Sequence, residues 1–136
     1  MKIVFVCVEN SCRSQMAEGF LRHLAGREVE VFSGGTEPAP KVNPLAVKVM
    51  KEIGIDISGQ HPKRISETGV DVFDVAVTMG CMSAGQACPL VRAKKVIEWN
   101  IPDPKGKPID FFREVRDMIR AEVGALIEEL KKRKGA

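Results

Sequence analysis

Cys7 and Arg13 are separated by five residues in the run Cys7-Val8-Glu9-Asn10-Ser11-Cys12-Arg13-Ser14, which leads from an unbroken apolar segment straight into a helical pattern. At such a strand-to-helix turn successive backbone N–H groups can curl around an anion, and the dipole of the following helix favours negative charge there. The geometry suits a tetrahedral oxyanion. Arg13 can add two parallel hydrogen bonds from a planar guanidinium, a better match to phosphate or arsenate than a point-charged lysine. The same donors should favour the thiolate of Cys7, making it a nucleophile at neutral pH. Ser14 can donate its hydroxyl to that thiolate, and Asn10 can hold the loop with its amide. The candidate oxyanion cradle is therefore Val8, Glu9, Asn10, Ser11, Cys12, Arg13 and Ser14, with Cys12 also reading as a packing residue on the first helical turn.

Two further cysteines, Cys81 and Cys88, are separated by six residues in a stretch of small ones: Gly80, Met82, Ser83, Ala84, Gly85, Gln86 and Ala87. That composition permits large backbone movement. With no sign of a secreted protein, the four cysteines are expected to rest as thiols, so a metal or catalytic role is the open question. Asp103-Pro104 is by itself a turn former. A structural zinc site built from the Cys7/Cys12 and Cys81/Cys88 pairs is a weaker reading, because structural zinc prefers two to four residues between paired cysteines and only the first pair fits. A module that binds the oxyanion without turnover is a second rival.

The elements that must position these residues alternate between apolar runs and helical patterns, which argues for an α/β fold with a parallel sheet. Ile3 to Val8 is apolar at every position, as in a central strand covered on both faces. Met16, Phe20, Leu21 and Leu24 have helical spacing from about Ser14 to Ala25, and Gly26 ends the pattern. A second strand is expected at Val29 to Phe32, before Ser33-Gly34-Gly35. Asn43-Pro44 reads as an N-cap followed by proline at the first helical position, opening a helix with the apolar face Leu45, Val49 and Ile53 and closed by Gly54. Val72 to Met79 and Lys95 to Trp99 read as the third and fourth strands. A long last helix, capped by Asp110, carries the stripe Phe112, Val115, Ile119, Val123, Leu126, Ile127 and Leu130. The expectation is one domain over residues 1–136, a four-stranded parallel sheet with helices on both faces. In such sheets ligands bind beyond the carboxyl ends of the strands, where Cys7 to Ser14, Gly80 to Cys88 and Asp103 could converge.

Composition excludes several classes. Of the 136 residues 44% are hydrophobic and 29% charged, close to ordinary globular values, which rules out disordered and fibrous chains. The net charge of +3 owes much to Lys131, Lys132, Arg133 and Lys134, which read as cations complementing a helix C-terminus. No basic stripe with interleaved aromatics is present, so no nucleic-acid partner is expected. The longest stretch free of Asp, Glu, Lys and Arg is 17 residues, Val75 to Val91. It is broken by glycine and proline and falls short of the ~20 apolar residues of a membrane span. The N-terminal apolar run is too short for a signal peptide, so a cytoplasmic location, no membrane partner and a monomer are expected.

The run Cys7 to Phe20, Ser33-Gly34-Gly35-Thr36, Val42-Asn43-Pro44 and Asp103-Pro104 together resemble the low-molecular-weight protein-tyrosine-phosphatase superfamily. The continuation Ser14-Gln15-Met16-Ala17-Glu18-Gly19 and the cysteine pair near residue 80 are more similar to its thioredoxin-coupled arsenate reductase branch. The resemblance runs from end to end and implies Cys7 as attacking thiolate, Arg13 as oxyanion clamp and Asp103 as the acid that protonates a departing oxygen. It further implies a relay for arsenic detoxification: Cys7 attacks arsenate, Cys81 then forms a disulfide with Cys7, and Cys88 displaces Cys7 to leave a Cys81–Cys88 disulfide for thioredoxin or a glutaredoxin-like protein to reduce. No bound cofactor is implied beyond that external reductant. The alternative within the superfamily is a phosphomonoester hydrolase, which has no use for the second cysteine pair.

The chain departs from the family pattern in three places. Lys105-Gly106-Lys107 stands where the phosphatases follow the Asp-Pro pair with two tyrosines that hold an aryl substrate, which favours a small inorganic substrate. Glu9 puts a carboxylate in the oxyanion loop; pointing inward it would repel the anion, so it is expected to face solvent. Asn10, Glu18 and Ser33 echo a potassium site of some arsenate reductases, but the basic segment His61-Pro62-Lys63-Arg64 offers no acidic ligand to complete it, and no such ion is expected.

Overall fold

The computed structural model describes residues 1–79 and 92–134. Four strands, β1 (Lys2–Cys7), β2 (Glu30–Gly35), β3 (Phe73–Met79) and β4 (Ala93–Trp99), form one sheet in the order β2-β1-β3-β4, every pair parallel. Parallel neighbours need crossovers, and helices supply the cover: α1 (Arg13–Ala25), α2 (Pro44–Lys51) and α3 (Ile109–Lys134). All three pack on one face, where Ile3, Phe5, Val75, Val77 and Met79 meet Met16, Phe20, Met50, Phe112, Val115 and Ile119. The opposite face carries Val4, Val6 and Ala76, and among the described residues its helical cover is the 3-10 turn Ile65–Thr68, through Ile65. Burial of β1 on both faces explains its uninterrupted apolar run.

Local chemistry sets most element ends. The Asn43 carboxamide accepts from Leu45 N at 2.9 Å, capping α2 ahead of Pro44. Gly26, at φ 70°, ends α1 in a conformation only glycine adopts readily. Along α3 the residues Phe112, Val115, Ile119, Val123 and Leu126 are buried, each side chain contributing about 1.5–3 kcal/mol by leaving water. Arg113 and Arg116 both reach Glu52, tying α3 to the end of α2.

Four expectations need correction. Strand β2 runs through Ser33-Gly34-Gly35 instead of stopping at Phe32, because Gly34 and Gly35 pair with Val6 and Cys7. Strand β4 starts at Ala93, which pairs with Phe73; alternating exposure along this edge strand conceals its first turn of pairing in the sequence. Helix α2 buries Ala46, Val49 and Met50, with Leu45 and Ile53 only partly covered. Asp110 does not cap α3: the Pro108 carbonyl accepts from Phe111 and Phe112, placing Asp110 inside the first turn, where it pairs with Arg113.

Strand order reverses at β1, since β2 lies on one side of it and β3 on the other. The crevice beyond the carboxyl end of β1 is thus the place where this architecture holds ligands, and Cys7 is the last residue of that strand.

Candidate active site

From Cys7 the chain turns through Val8–Cys12 into α1, and nearly every carbonyl of this loop is spoken for from outside. Val8 O accepts from Glu37 N, Glu9 O from Ala39 N, Asn10 O from the Gln15 carboxamide and Ser11 O from Asn43 N. In a trans peptide the following N–H points opposite to the carbonyl. The N–H groups of Glu9, Asn10, Ser11 and Cys12 are therefore turned away from those partners, as an anion nest requires. Asn10 stands at φ 52°, in the left-handed region that asparagine tolerates better than most residues. Gly35 closes the back of the loop. A Cβ there would sit 2.5 Å from Val8 O and 2.9 Å from Cys7 O, so only glycine lets β2 approach.

The side chains lock the same turn. Asn10 Nδ2 donates to Ser14 Oγ at 2.7 Å, and Ser14 Oγ lies 2.8 Å from Cys7 Sγ, both contacts buried. Because the amide must be the donor in the first bond, the Ser14 hydroxyl keeps its own proton for the sulfur. Asn10 Oδ1 accepts from Gln15 Nε2 and from Lys63 N, and Gln60 in turn donates to Gln15. This buried network of Asn10, Gln15, Gln60 and the 61–63 backbone was not read from the sequence. A fully buried glutamine in the first turn of α1 is its signal, since such a group must be paired.

Cys7, Val8, Glu9, Ser11, Cys12, Arg13, Glu37, Asp103 and Lys105 line one cavity of about 290 Å³. Arg13, buried, donates through Nη1 to Ile101 O at 2.9 Å, so the loop just after β4 sets the plane of its guanidinium. Its Nη2 lies 3.8 Å from Asp103 Oδ2, and that carboxylate is 52% exposed at the rim. Glu9 does not simply face solvent: only 35% exposed, it is ion-paired with Lys105 across the same cavity. Cys12 is buried beside Ser11, and that burial pushes its thiol up to about 11, so Cys12 is neutral at physiological pH. The structure thus brings Cys7 to Ser14 and Asp103 together. Cys81 and Cys88 lie outside the described residues.

The potassium site suggested by the resemblance does not fit this chain. Asn10 Oδ1 already accepts two hydrogen bonds, and the buried Glu18 carboxylate takes the Ser33 hydroxyl, the Arg22 guanidinium at 2.7 Å and the Lys63 ammonium at 4.0 Å. Two side-chain cations thus already offset the Glu18 charge that would attract a metal ion. Among the described residues no group of three or more His, Cys, Asp or Glu could hold a metal; the Cys81/Cys88 half of the zinc reading lies outside them. No described helix is long and apolar enough to cross a membrane.

Comparison with known proteins gives this geometry its relatives. Arsenate reductase 2 of Staphylococcus haemolyticus is 43% identical over 122 residues, 89% of this chain and 92% of that protein. The glutaredoxin arsenate reductase of Synechocystis is 38% identical over 130 residues, 95% and 98% of the two chains. Among solved structures, an arsenate reductase in the phosphate binding state superposes with a TM-score of 0.83 at 40% identity, covering 94% of this chain and 97% of the other. The thioredoxin-dependent arsenate reductase of Corynebacterium glutamicum gives a TM-score of 0.71 at 33% identity, over 93% of this chain and 61% of the other. The family model for low molecular weight phosphotyrosine protein phosphatases matches residues 2–136, and the chain belongs to that family.

Proposed function

We propose that this protein is an arsenate reductase that works by a three-cysteine thiol relay. The observation that carries the reading is the lining of the cavity: the buried cysteines Cys7 and Cys12, the buried Arg13, three carboxylates, one lysine and, among the described residues, no aromatic side chain to hold an aryl ester. The close relatives named arsenate reductase support the same substrate.

The chemistry follows from the groups in place. The Cys7 thiolate attacks arsenic(V) while Arg13 and the loop N–H groups hold the oxygens, and one oxygen leaves as water with Asp103 handing it a proton. A thiolate from Cys81 then attacks Cys7 Sγ. The sulfur–arsenic bond breaks, its electron pair stays on arsenic, and arsenite departs as arsenic(III), leaving a Cys7–Cys81 disulfide. Attack of Cys88 on Cys81 releases Cys7 as the thiolate that the Ser14 hydroxyl is placed to receive. An external dithiol reduces the Cys81–Cys88 disulfide. Thioredoxin and glutaredoxin are both candidate donors, since relatives named for each exist. Cytoplasmic, monomeric action fits this scheme.

The deciding experiment is steady-state NADPH oxidation by thioredoxin and thioredoxin reductase in the presence of this protein, with and without arsenate. Arsenate-dependent oxidation that disappears in Cys88→Ser is the expected result. No arsenate-dependent oxidation with rapid hydrolysis of p-nitrophenyl phosphate would make it a phosphatase. A glutaredoxin system in place of thioredoxin identifies the donor.

A further inference from the structure

Among the described residues the active-site cavity is lined by Glu37 from the segment after β2 and by two loops, the one after β1 with Glu9 and the one after β4 with Asp103 and Lys105. Both are anchored from behind. Glu9 O accepts from Ala39 N, Arg13 joins Ile101 and Asp103, and Lys105 N donates to Asp103 Oδ1 at 3.1 Å. Besides the Arg13–Asp103 pair, a second ion pair among the described residues crosses between the loops, from Lys105 Nζ to Glu9 Oε1. We propose that this pair is a latch that determines specificity, admitting a free tetrahedral oxyanion and disfavouring one that carries an organic ester arm. The proposal rests on the reading of the cavity as an oxyanion site and adds the element that selects among oxyanions.

The argument is geometric and electrostatic. The pair joins two loops that line the cavity holding Cys7 and Arg13, so a free oxyanion bound there need not disturb it, whereas an ester arm leaving between those loops has to part it. The pair is half exposed, so opening it is cheap and the discrimination it supplies is roughly three- to fivefold. Charge gives a second, signed consequence. The cavity lining holds two cations, Arg13 and Lys105, against three carboxylates, Glu9, Glu37 and Asp103. Glu9 raises the Lys105 ammonium above the ordinary lysine range by accepting its hydrogen bond, so the two charges cancel at neutral pH. Without Lys105 the Glu9 carboxylate faces the incoming anion unpaired; without Glu9 the ammonium is free to hold it.

The test reads site occupancy directly, through protection of Cys7 from iodoacetamide, followed on the Cys7 peptide by mass spectrometry, with inorganic phosphate and phenylphosphonate as probes. Lys105→Met is expected to weaken phosphate protection three- to fivefold and Glu9→Gln to strengthen it by a similar factor. In Glu9→Gln/Lys105→Met the ratio of the phenylphosphonate to the phosphate constant is expected to fall three- to fivefold. An unchanged ratio in the double variant, or single variants that move phosphate protection in the same direction, overturns the latch. Because protection needs no turnover, these shifts appear or fail independently of arsenate reduction. A protein that shows them but no arsenate-dependent NADPH oxidation keeps the latch and loses the reductase reading.

Discussion

The Ser14 hydroxyl receives the Asn10 amide and so has its own proton to give to Cys7. A hydrogen bond to a charged acceptor contributes about 1.5–3 kcal/mol. Ser14→Ala should therefore slow Cys7 alkylation by iodoacetamide at pH 7 at least tenfold, measured on the Cys7 peptide; an unchanged rate would mean that the sulfur does not depend on this donor. Cys12, five residues along, is governed by burial. Burial raises its thiol from an ordinary value of 9.0 to about 11, so the folded state holds a proton that the unfolded chain releases first. The sign follows: the stability linked to Cys12 is complete below about pH 9 and is lost as pH rises through about 11, a change on the order of 2–3 kcal/mol. Urea unfolding of the protein and of Cys12→Ser between pH 8 and 11 should show a steeper fall for the former. Parallel curves would refute the shifted thiol. The placement of Cys7, Arg13, Ser14 and Asn10 around one strand-to-helix turn was legible in the sequence because each follows from donor chemistry there. Glu9 was not, because its partner Lys105 is 96 residues away and only the fold makes them neighbours.

Strand β2 is where local propensity and tertiary demand disagree. Glycine weakens strands, so Ser33-Gly34-Gly35 reads as a turn, yet these residues pair with Phe5, Val6 and Cys7. The reason is contact: a Cβ on Gly34 would come within 2.9 Å of the Ile65 backbone, and one on Gly35 would meet the Val8 and Cys7 carbonyls. The glycines let β2 and the Ile65–Thr68 turn close on the oxyanion loop. Gly35→Ala is accordingly expected to push that loop out of place, with a stability loss of about 1–3 kcal/mol. Phosphate protection of Cys7 should be lost in folded protein, a result separable from unfolding by circular dichroism. A variant that binds phosphate normally would show that the approach of β2 is not required. Elements whose signals are local, such as the Asn43-Pro44 cap of α2 and the heptad-like stripe of α3, could be read directly. Those whose limits depend on a neighbour, the end of β2 and the start of β4, could not.

For the molecule as a whole, the order β2-β1-β3-β4 puts the reversal at β1, and everything that touches the oxyanion loop arrives from a different part of the chain. Glu18 on α1, Ser33 on β2 and Lys63 before the Ile65–Thr68 turn meet behind it. Lys63 does three things there: its N–H holds Asn10, its carbonyl accepts from Gly35, and its ammonium offsets Glu18. The basic segment 61–64 indicated in the sequence that an acidic ligand was missing; that its lysine would itself reach the buried carboxylate was not visible, because side-chain reach across three elements is a property of the assembled fold. The consequence concerns the solvent the protein needs. With Glu18 compensated from within and both acceptor positions of Asn10 Oδ1 occupied, these two residues are poorly placed to bind a monovalent metal ion. Melting temperature in potassium chloride should equal that in sodium chloride and in choline chloride at matched ionic strength, within about 1 °C. In Lys63→Met the buried carboxylate loses one of its cations, and there a stabilisation specific to potassium or sodium over choline is expected. A rise of several degrees with potassium in the unmodified protein would instead place a cation at Glu18 and displace Lys63 from its assigned role.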